Sequence, residues 1–440
     1  MPTQAGGLRH SGGLRHSSRR LAPQQPAACA TVSILSDRPT LRSLDFQPVT
    51  YEGESLWLLH DPLQLSDQQL LLPPALAQMA LFLDGRRNLE EVRRAFYHRF
   101  QVWLAADVVA DTLHQLDKAC LLANERSQQA LAAQLEAFRA RPHRPPALAG
   151  PVYPADPIRL THLFNDYANG DLMDGWGEWR GRGIISPHID YQRGGPVYAK
   201  VWRRAAAAVQ EADLVLIFGT DHNGSPGRVT LTRLPYATPY GVLPAAPDVV
   251  EHVAAALGSQ AFDEELHHRT EHSIELSAVW LHHVRQQAGL PPCPMAPILC
   301  GSFHHFVSNG HHPADDPQLT AAISALQEAT AGRRALAVAS VDLAHVGPNF
   351  GDSFPMDSQR RARLVESDGR LMGAIAAGDA ARFYHEVASV GDRHRICGFS
   401  SIYLLLRYLG SAAGVTVAYE QCPADPQNTS LVSICGLLLQ

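Results

Sequence analysis

The hydrophobic positions in residues 148–440 alternate between two kinds of run. Short runs rich in β-branched and aliphatic residues occur at 183–187, 213–218, 294–300, 334–341 and 415–420. Around them, hydrophobic residues recur with helical spacing at 196–212, 246–258, 272–286, 317–330, 358–377 and 400–409. Strands separated by helices are typical of a sheet that has helices on both faces. The pattern therefore predicts an α/β fold for this part of the chain.

The first third of the chain has a different pattern. Residues 45–125 begin with an extended stretch and continue in three segments of helical spacing, which predicts a small helix-rich domain. Residues 126–147 predict an exposed helix followed by a proline-rich linker, because closely spaced prolines interrupt a helix. Residues 1–36 contain no Asp or Glu and repeat GGLRHS, so residues 1–44 are predicted to be a disordered tail.

Composition excludes several classes of protein. The chain has 440 residues and a net charge of −6, which provides no broad basic surface for nucleic acid. No run reaches the roughly 18 uncharged apolar residues that a membrane span needs. The seven cysteines are odd in number and widely spaced, which is typical of reduced thiols. We therefore expect a cytoplasmic protein that binds neither nucleic acid nor membranes.

Polar side chains that can bind metals follow three of the predicted strands. In open α/β sheets, ligands bind beyond the carboxyl ends of the strands, so these side chains are expected to meet at one edge. Two more groups, a histidine and a cysteine, lie at predicted helix starts. The candidate residues are His188, His222, His272, Asp342, His345 and Cys397.

Two histidines with one carboxylate or thiolate can hold a divalent metal and leave coordination positions open. The alternative is that each histidine is a hydrogen-bonded loop residue and that Cys397 is a small buried hydrophobic residue. Convergence of three strand ends favours the metal site. Neither a P-loop nor a G-x-S-x-G motif is present, so nucleotide binding and serine hydrolysis are not indicated.

Eight segments in the larger part of the chain resemble the Memo family, the AmmeMemoRadiSam system protein B type, which is related to the class III (LigB-type) extradiol dioxygenases. They include SPHIDYQRGGPVYA, VLIFGTDHNG, EHSIEL, VDLAHVG and RICGFSSIYLLL. The resemblance covers residues 148–440 and implies a LigB/Memo-like sheet covered by helices on both faces. It also implies that His188, His222 and Cys397 bind a metal, and that His272, Asp342 and His345 are catalytic.

Residues 45–125 resemble the winged-helix modules related to the PqqD peptide-chaperone family, on the segments FLDGRRNLEEVRRAF and LDKACLL. This resemblance implies a module that docks a peptide or a protein partner, and a helical packing appendage is the alternative. Among the positions that depart from the Memo pattern, two bear most on the chemistry of the site. Phe399 stands where an arginine is frequent, which argues against an acidic substrate, and Asp221 is placed to orient His222.

These observations lead to three hypotheses about function. The first is a non-haem, metal-dependent oxidoreductase that holds iron or copper, with zinc as a further option, and acts on a small-molecule or peptide substrate. The second is a non-catalytic accessory protein that recognises a peptide or a modified side chain for a radical-enzyme system. The third, metal-assisted hydrolysis, ranks last because no glutamate base was identified beside the ligands.

Overall fold

The computed structural model describes residues 37–171, 173 and 175–440, which form a small N-terminal unit and a larger unit. The small unit consists of β1 (Asp45–Tyr51), β2 (Glu54–His60), β3 (Leu70–Leu72), α1 (Pro74–Ala80), α2 (Leu89–Phe100) and α3 (Ala106–Lys118). The three strands form an antiparallel sheet. Glu52 and Gly53 connect β1 to β2 with φ of 51° and 84°, as a tight hairpin requires.

The small unit begins earlier in the chain than the sequence predicted. Residues 1–36 of the predicted tail lie outside the described residues. Leu41 donates its backbone N–H to Leu83 at 2.8 Å, and Thr40 accepts from Ala123 at 2.8 Å. Leu41 also packs against the core of the small unit. The ordered part therefore starts by residue 40, because these bonds and this packing hold the segment in place.

The helix α4 (Glu125–Arg139) follows the small unit and was expected to be exposed. One side chain of its last turn, that of Phe138, is instead buried against the larger unit. Phe138 is 1% exposed and packs with Leu234 and Leu266. Arg139 forms an ion pair with Glu265 at 2.5 Å. The expectation of an exposed helix was wrong at this end, since an apolar side chain facing a second unit leaves no local signal in the sequence.

The larger unit contains the remaining elements. They are α5 (Pro157–Ala168), β4 (Gly183–Ser186), α6 (Tyr191–Arg204), α7 (Ala206–Glu211), β5 (Leu214–Thr220), β6 (Val229–Leu231), β7 (Tyr236–Thr238), β8 (Gly241–Leu243), α8 (Pro247–Leu257), α9 (His272–Gln287), β9 (Met295–Cys300), α10 (His304–Asn309), α11 (Pro317–Ala329), β10 (Ala335–Ser340), β11 (His345–Val346), α12 (Ser358–Ala376), α13 (Ala380–Ala388), α14 (Phe399–Leu409), β12 (Gly414–Pro423) and β13 (Leu431–Leu439). Among the described residues, no helix is both long and apolar enough to cross a bilayer.

An eight-stranded mixed sheet organises the larger unit. Its strand order is β11-β13-β4-β10-β5-β9-β6. The strand β12 lies off this path and pairs antiparallel with β13 along its length. The strands β4, β10, β5 and β9 are mutually parallel, whereas β13 and β6 run antiparallel to their neighbours. Helices α6 and α9 pack on one face, and α8, α11 and α14 pack on the other. The predicted α/β fold with both faces covered is confirmed.

The strand β13 was missed by the sequence analysis although it lies inside the sheet. All nine of its residues, LVSICGLLL, are buried. A strand buried on both faces loses the alternation of polar and apolar residues that identifies a half-exposed strand. Gly436 permits close packing here, because a Cβ atom at this position would lie 2.1 Å from a methyl group of Val201 on α6.

Candidate metal centre

The carboxyl ends of β4, β10 and β5 place the predicted chemical groups side by side. These three strands are adjacent and parallel in the sheet. His188 lies two residues after β4, Asp342 two residues after β10, and His222 two residues after β5. Their convergence at one edge follows the geometry of parallel strands. All six candidate residues line one or both of two neighbouring cavities, of about 350 and 620 Å³.

The ligand atoms of His188, His222 and Cys397 lie within 4.8 Å of one another. His188 Nδ1 lies 3.0 Å from the carbonyl oxygen of Ser340, which can only accept, so Nδ1 carries the proton. The lone pair of His188 is therefore on Nε2, which lies 3.3 Å from Cys397 Sγ. This set of two imidazoles and a thiol fits a metal ion.

The carboxylate of Glu271 orients the second histidine. His222 Nδ1 lies 3.1 and 3.0 Å from the two oxygens of Glu271, which leaves Nε2 directed to the shared centre. Such a carboxylate–histidine contact fixes the ring and makes the imidazole a better ligand. Asp221, which was expected to play this role, contacts His267 Nδ1 at 2.9 Å instead. That expectation was wrong because the loop after β5 turns the Asp221 side chain toward the segment before α9.

Glu271 also begins helix α9. Its carboxylate accepts from the backbone N–H groups of His272 and Ser273, at 2.8 and 2.9 Å, as an N-cap does. His272 Nδ1 lies 3.1 Å from the same carboxylate. Glu271 was absent from the predicted site residues. The signal for it was its position immediately before a helix, beside a candidate histidine.

Asp342 holds the loop that carries the first histidine. Its Oδ1 accepts from the backbone N–H groups of His188 and Ile189, at 2.9 and 3.1 Å. Its Oδ2 lies 3.7 Å from His188 Nε2. Burial raises the pKa of Asp342, although His345 and the two N–H groups oppose this shift. Asp342 therefore fixes the position of the His188 ring and lies at the edge of the metal-ligand set.

His272 and His345 surround the ligand set without belonging to it. The His272 ring centroid lies 4.8 Å from that of His222 and 5.2 Å from that of His188. His345 Nδ1 lies 3.2 Å from the carbonyl oxygen of Leu343, so its Nε2 is free to act on a bound molecule. Burial lowers the pKa of His345, which keeps the ring neutral near pH 7. Both rings are placed for proton transfer to a ligand in the cavity.

The pKa values of the three candidate ligands are shifted in different directions. Burial, together with the charges of His222 and His272, holds the pKa of His188 well below its usual value. Burial also disfavours the charged form of His222, but Glu271 and Cys397 outweigh it and raise the His222 pKa well above its usual value. Burial raises the pKa of Cys397, and His222 only partly offsets this. A metal must therefore displace protons from His222 and Cys397.

A fully buried arginine anchors the start of α9. Arg144 Nη1 pairs with Glu275, while Nε and Nη2 donate to the backbone oxygens of His268 and Glu271, at 2.8 and 2.9 Å. Arg144 was assigned to the linker by the sequence analysis, which is therefore corrected. Its partners lie more than 120 residues away, so no local pattern reveals them.

The linker after Arg144 forms a wall of the site. Glu275 accepts from the backbone N–H groups of Ala147 and Leu148 at 2.8 and 2.9 Å, and from the Tyr153 hydroxyl at 2.5 Å. Leu148 and Val152 line the 350 Å³ cavity together with the histidines. The buried pair of Arg144 and Glu275 thus positions both the wall of this cavity and the carboxylate that orients His222.

Comparison with known families agrees with this architecture. The family model described as Memo-like protein matches residues 144–437. The chain belongs to the Memo-like protein family. A MEMO1 family protein of Aquifex aeolicus is 25% identical over 404 residues, covering 91% of this chain and 99% of its own length. A MEMO1 family protein of Thermus thermophilus is 28% identical over 344 residues, which cover 77% of this chain and 94% of that protein.

The relatives of this Memo-like protein differ in the share of this chain that they cover. The Aquifex aeolicus alignment covers 91% of this chain and so includes most of the small unit. A MEMO1 family protein of Methanosarcina mazei is 26% identical over 283 residues, which cover 63% of this chain but 91% of that protein. The unaligned remainder of the Methanosarcina protein is too short for a unit of this size. The relatives therefore differ in how much of this chain they match.

We predict that Arg144→Met destabilises this Memo-like protein by about 3–5 kcal/mol, because it leaves the buried Glu275 carboxylate without a cation. Adding Glu275→Gln to this variant is expected to restore part of the loss, since the buried charge is then removed. Urea denaturation measures both effects. Arg334→Met, at a side chain that is 72% exposed, is the control and should change stability by less than about 0.5 kcal/mol. Equal stability of the wild type and Arg144→Met would contradict the assigned role.

We predict that Zn²⁺ affinity rises as the pH increases above about 6.5, because the raised pKa of His222 makes the metal compete with a proton. Glu271→Gln removes the carboxylate that raises this pKa, so the pH midpoint of binding should move to lower pH. At high pH the same variant should bind about 10–100-fold more weakly, because the imidazole is less well oriented. Calorimetric titration between pH 6 and 9 measures both quantities, with Glu251→Gln as the control. An unchanged midpoint would show that Glu271 does not control His222.

Proposed function

We propose that this protein is a metal-dependent oxidoreductase with a non-haem centre held by His188, His222 and Cys397. The observation that supports this most directly is the hydrogen bonding of the two imidazoles. The Nδ1 atom of each histidine lies within hydrogen-bond distance of an oxygen. Each Nε2 atom is therefore available to bind a metal together with Cys397 Sγ. Three protein ligands beside two cavities would leave open positions for a substrate or a small oxidant.

The donor set bears on which metal would bind. A thiolate is a soft ligand that suits Cu(I) or zinc, whereas iron that reacts with oxygen usually has a carboxylate. Asp342 is the nearest carboxylate to the centre, with Oδ2 3.7 Å from His188 Nε2. Iron and copper are the metals that fit an oxidoreductase, and zinc is a third option that would support only Lewis-acid chemistry. A bound redox metal would supply the electron transfer, which the side chains cannot.

The surrounding residues have distinct proposed roles. His272 contacts Glu271 through Nδ1, so its Nε2 can take a proton from a substrate hydroxyl while the carboxylate stabilises the resulting positive charge. His345, with its lowered pKa, can act as a neutral base on the other side of the centre. Asp342 positions His188 and Ile189. Leu148 and Val152 give one side of the 350 Å³ cavity an apolar lining.

The test is metal content by plasma mass spectrometry on protein purified without oxygen. We expect close to one metal per chain in the wild type and its loss in the His188→Ala/His222→Ala double variant, because two of the three ligands are removed. His98→Ala/His114→Ala is the matched control, since these exposed histidines lie on α2 and α3 of the small unit, away from the centre, and should leave the metal content unchanged. Absence of metal from the wild type, even after reconstitution with iron and with copper, would contradict the proposal.

A third variant in the same experiment identifies the metal. Cys397→Asp replaces the thiolate by a carboxylate and creates the two-histidine, one-carboxylate set typical of non-haem iron. Retained iron in this variant would support an iron centre. Loss of copper with no gain of iron would support a copper centre, and either result is read directly from the metal analysis.

We propose in addition that the small unit docks a protein partner, such as an enzyme of a radical-dependent system, to the larger unit. The observation that favours this is an exposed aromatic surface at the end of α2. Tyr97 and Trp103 are 40% and 50% exposed, their ring centroids lie 5.6 Å apart, and Arg93 lies over the Trp103 ring at 4.7 Å. Exposed aromatic residues of this kind are typical of binding surfaces.

We predict that Tyr97→Ala/Trp103→Ala abolishes capture of such a partner by the full-length protein, because it removes two aromatic anchors while leaving the fold intact. Pull-down from cell extract with identification by mass spectrometry measures this. Tyr51→Ala, at a 55% exposed side chain on β1, is the control and should retain capture. Recovery of the same partner by both variants would contradict a docking role for this surface. Deletion of the small unit is less informative, since it would expose Leu234 and Leu266.

A further inference from the structure

A groove rich in arginine lies next to the candidate metal centre. It has a volume of about 540 Å³ and runs between α12 and the loop of residues 391–397. Its rim carries Arg360, Arg363, Arg370 and Arg393, and we call it the arginine groove. Apolar side chains, including those of Met356 and Leu364, form its floor. The groove thus combines positive charge with an apolar surface, in a protein whose net charge is −6.

Two of the four guanidinium groups are not neutralised. Arg360 and Arg370 pair with carboxylates of Asp357 and Glu386, outside the groove. Among the described residues, Arg363 has no acidic partner within ion-pair distance, and the Arg393 side chain contacts only the neighbouring His394, through Nε.

The acidic side chains that line the groove offset this charge only in part, because Glu366 can oppose one of the two free guanidinium groups and leaves the other. They are Asp352 and Glu366, and Asp352 is already bound by Arg395 at 2.9 Å and by the backbone N–H of Gly347 at 2.8 Å. The groove therefore retains uncompensated positive charge, which is what an oxyanion requires.

The loop that carries Arg393 also carries the metal-ligand candidate Cys397. Two of its non-glycine residues, Asp392 and Arg395, have φ of 48° and 52°, a backbone conformation that side chains rarely adopt. The Asp392 carboxylate accepts from the Ile396 N–H at 3.0 Å and maintains this shape. Backbone strain of this kind is concentrated at binding sites. Here it places an unpaired arginine and the thiol on one short turn.

The arginine groove adjoins the 620 Å³ cavity. Arg393 and Asp352 line both. The cavity also contains His222, Cys397 and the aromatic ring of Phe399. An elongated molecule with one end in the groove can therefore reach the candidate metal ligands with its other end. Phe399, which stands where an arginine was expected, provides an apolar wall, and Arg393 provides the positive charge from the loop.

We propose that the substrate of the candidate centre is an elongated anion with an oxyanion, phosphate or carboxylate, at one end of an apolar, unsaturated body. The oxyanion binds Arg363 and Arg393, the body packs along Leu364 and Phe399, and the far end reaches Cys397. This inference deepens the proposed function and rests on it only for the reaction at the far end. The binding itself requires no metal, so the two can be tested separately.

The test uses metal-free full-length protein and three probes with the same body: 1-naphthyl phosphate, 1-naphthoate and uncharged 1-naphthol. We expect at least one of the two anions to bind at least tenfold more tightly than 1-naphthol by calorimetry, and the tighter one identifies the oxyanion. Arg363→Gln/Arg393→Gln should weaken that anion at least tenfold. Arg94→Gln/Arg334→Gln is the control, because it removes the same charge at arginines that are 64% and 72% exposed and lie outside the groove.

A second measurement asks whether the bound anion reaches the candidate centre. Saturation with the tighter anion should slow alkylation of Cys397 in the wild type, followed by mass spectrometry of the peptide that contains it, and should not do so in Arg363→Gln/Arg393→Gln. Equal affinity in the wild type and this variant, no binding of either anion, or unprotected Cys397 at saturation would overturn the inference. Metal content, measured on reconstituted samples of the same proteins, tests the proposed function independently.

Discussion

The buried ion pair of Arg144 and Glu275 is the constraint on which the rest of the site depends. Moving two charges out of water is costly, and attraction between them offsets this only when their remaining hydrogen-bonding groups are also satisfied. Here Arg144 donates to two backbone oxygens, and Glu275 accepts from two backbone N–H groups and a tyrosine hydroxyl. The pair therefore joins the linker, the start of α9 and one wall of the cavity. A fragment beginning at residue 148 would leave Glu275 buried without its cation.

The start of α9 is fixed from the sheet as well. Gly219 lies in β5 where a Cβ atom would come within 2.6 Å of Ser273 Oγ, so the absence of a side chain allows the helix to approach the strand. Ser273 then donates to the carbonyl oxygen of Thr220 at 2.8 Å, and Ser340 of β10 donates to the carbonyl oxygen of Ser273 at 2.5 Å. These contacts place Glu271 against His222 without reliance on a bound metal. A site held by strand ends and a docked helix is preorganised, which limits the reorganisation that metal binding requires.

The sequence predicted the groups that depend on local pattern and missed those that depend on distant contacts. The strand ends that carry His188, His222 and Asp342 were identified because adjacent parallel strands end at one edge. Glu271 and Arg144 were missed because their roles arise from contacts with residues 49 and 131 positions away, which no periodicity reports. The strand β13 was not predicted for another reason. Its nine residues are all buried, and a strand covered on both faces has no alternation of polar and apolar residues to detect.

The candidate ligands come from two kinds of segment, the ends of buried strands and a hydrogen-bonded loop. The two candidate metal-ligand histidines follow buried strands and are held by oxygens of Ser340 and Glu271. Cys397 comes instead from a loop that also carries Arg393 and borders two open cavities. A substitution in that loop can change which molecule is bound without disturbing the two imidazoles, because their orienting hydrogen bonds do not involve the loop. The thiol is the exception, since it lies on the loop and contacts His188, so a molecule bound in the proposed arginine groove would be coupled to the candidate centre through Cys397.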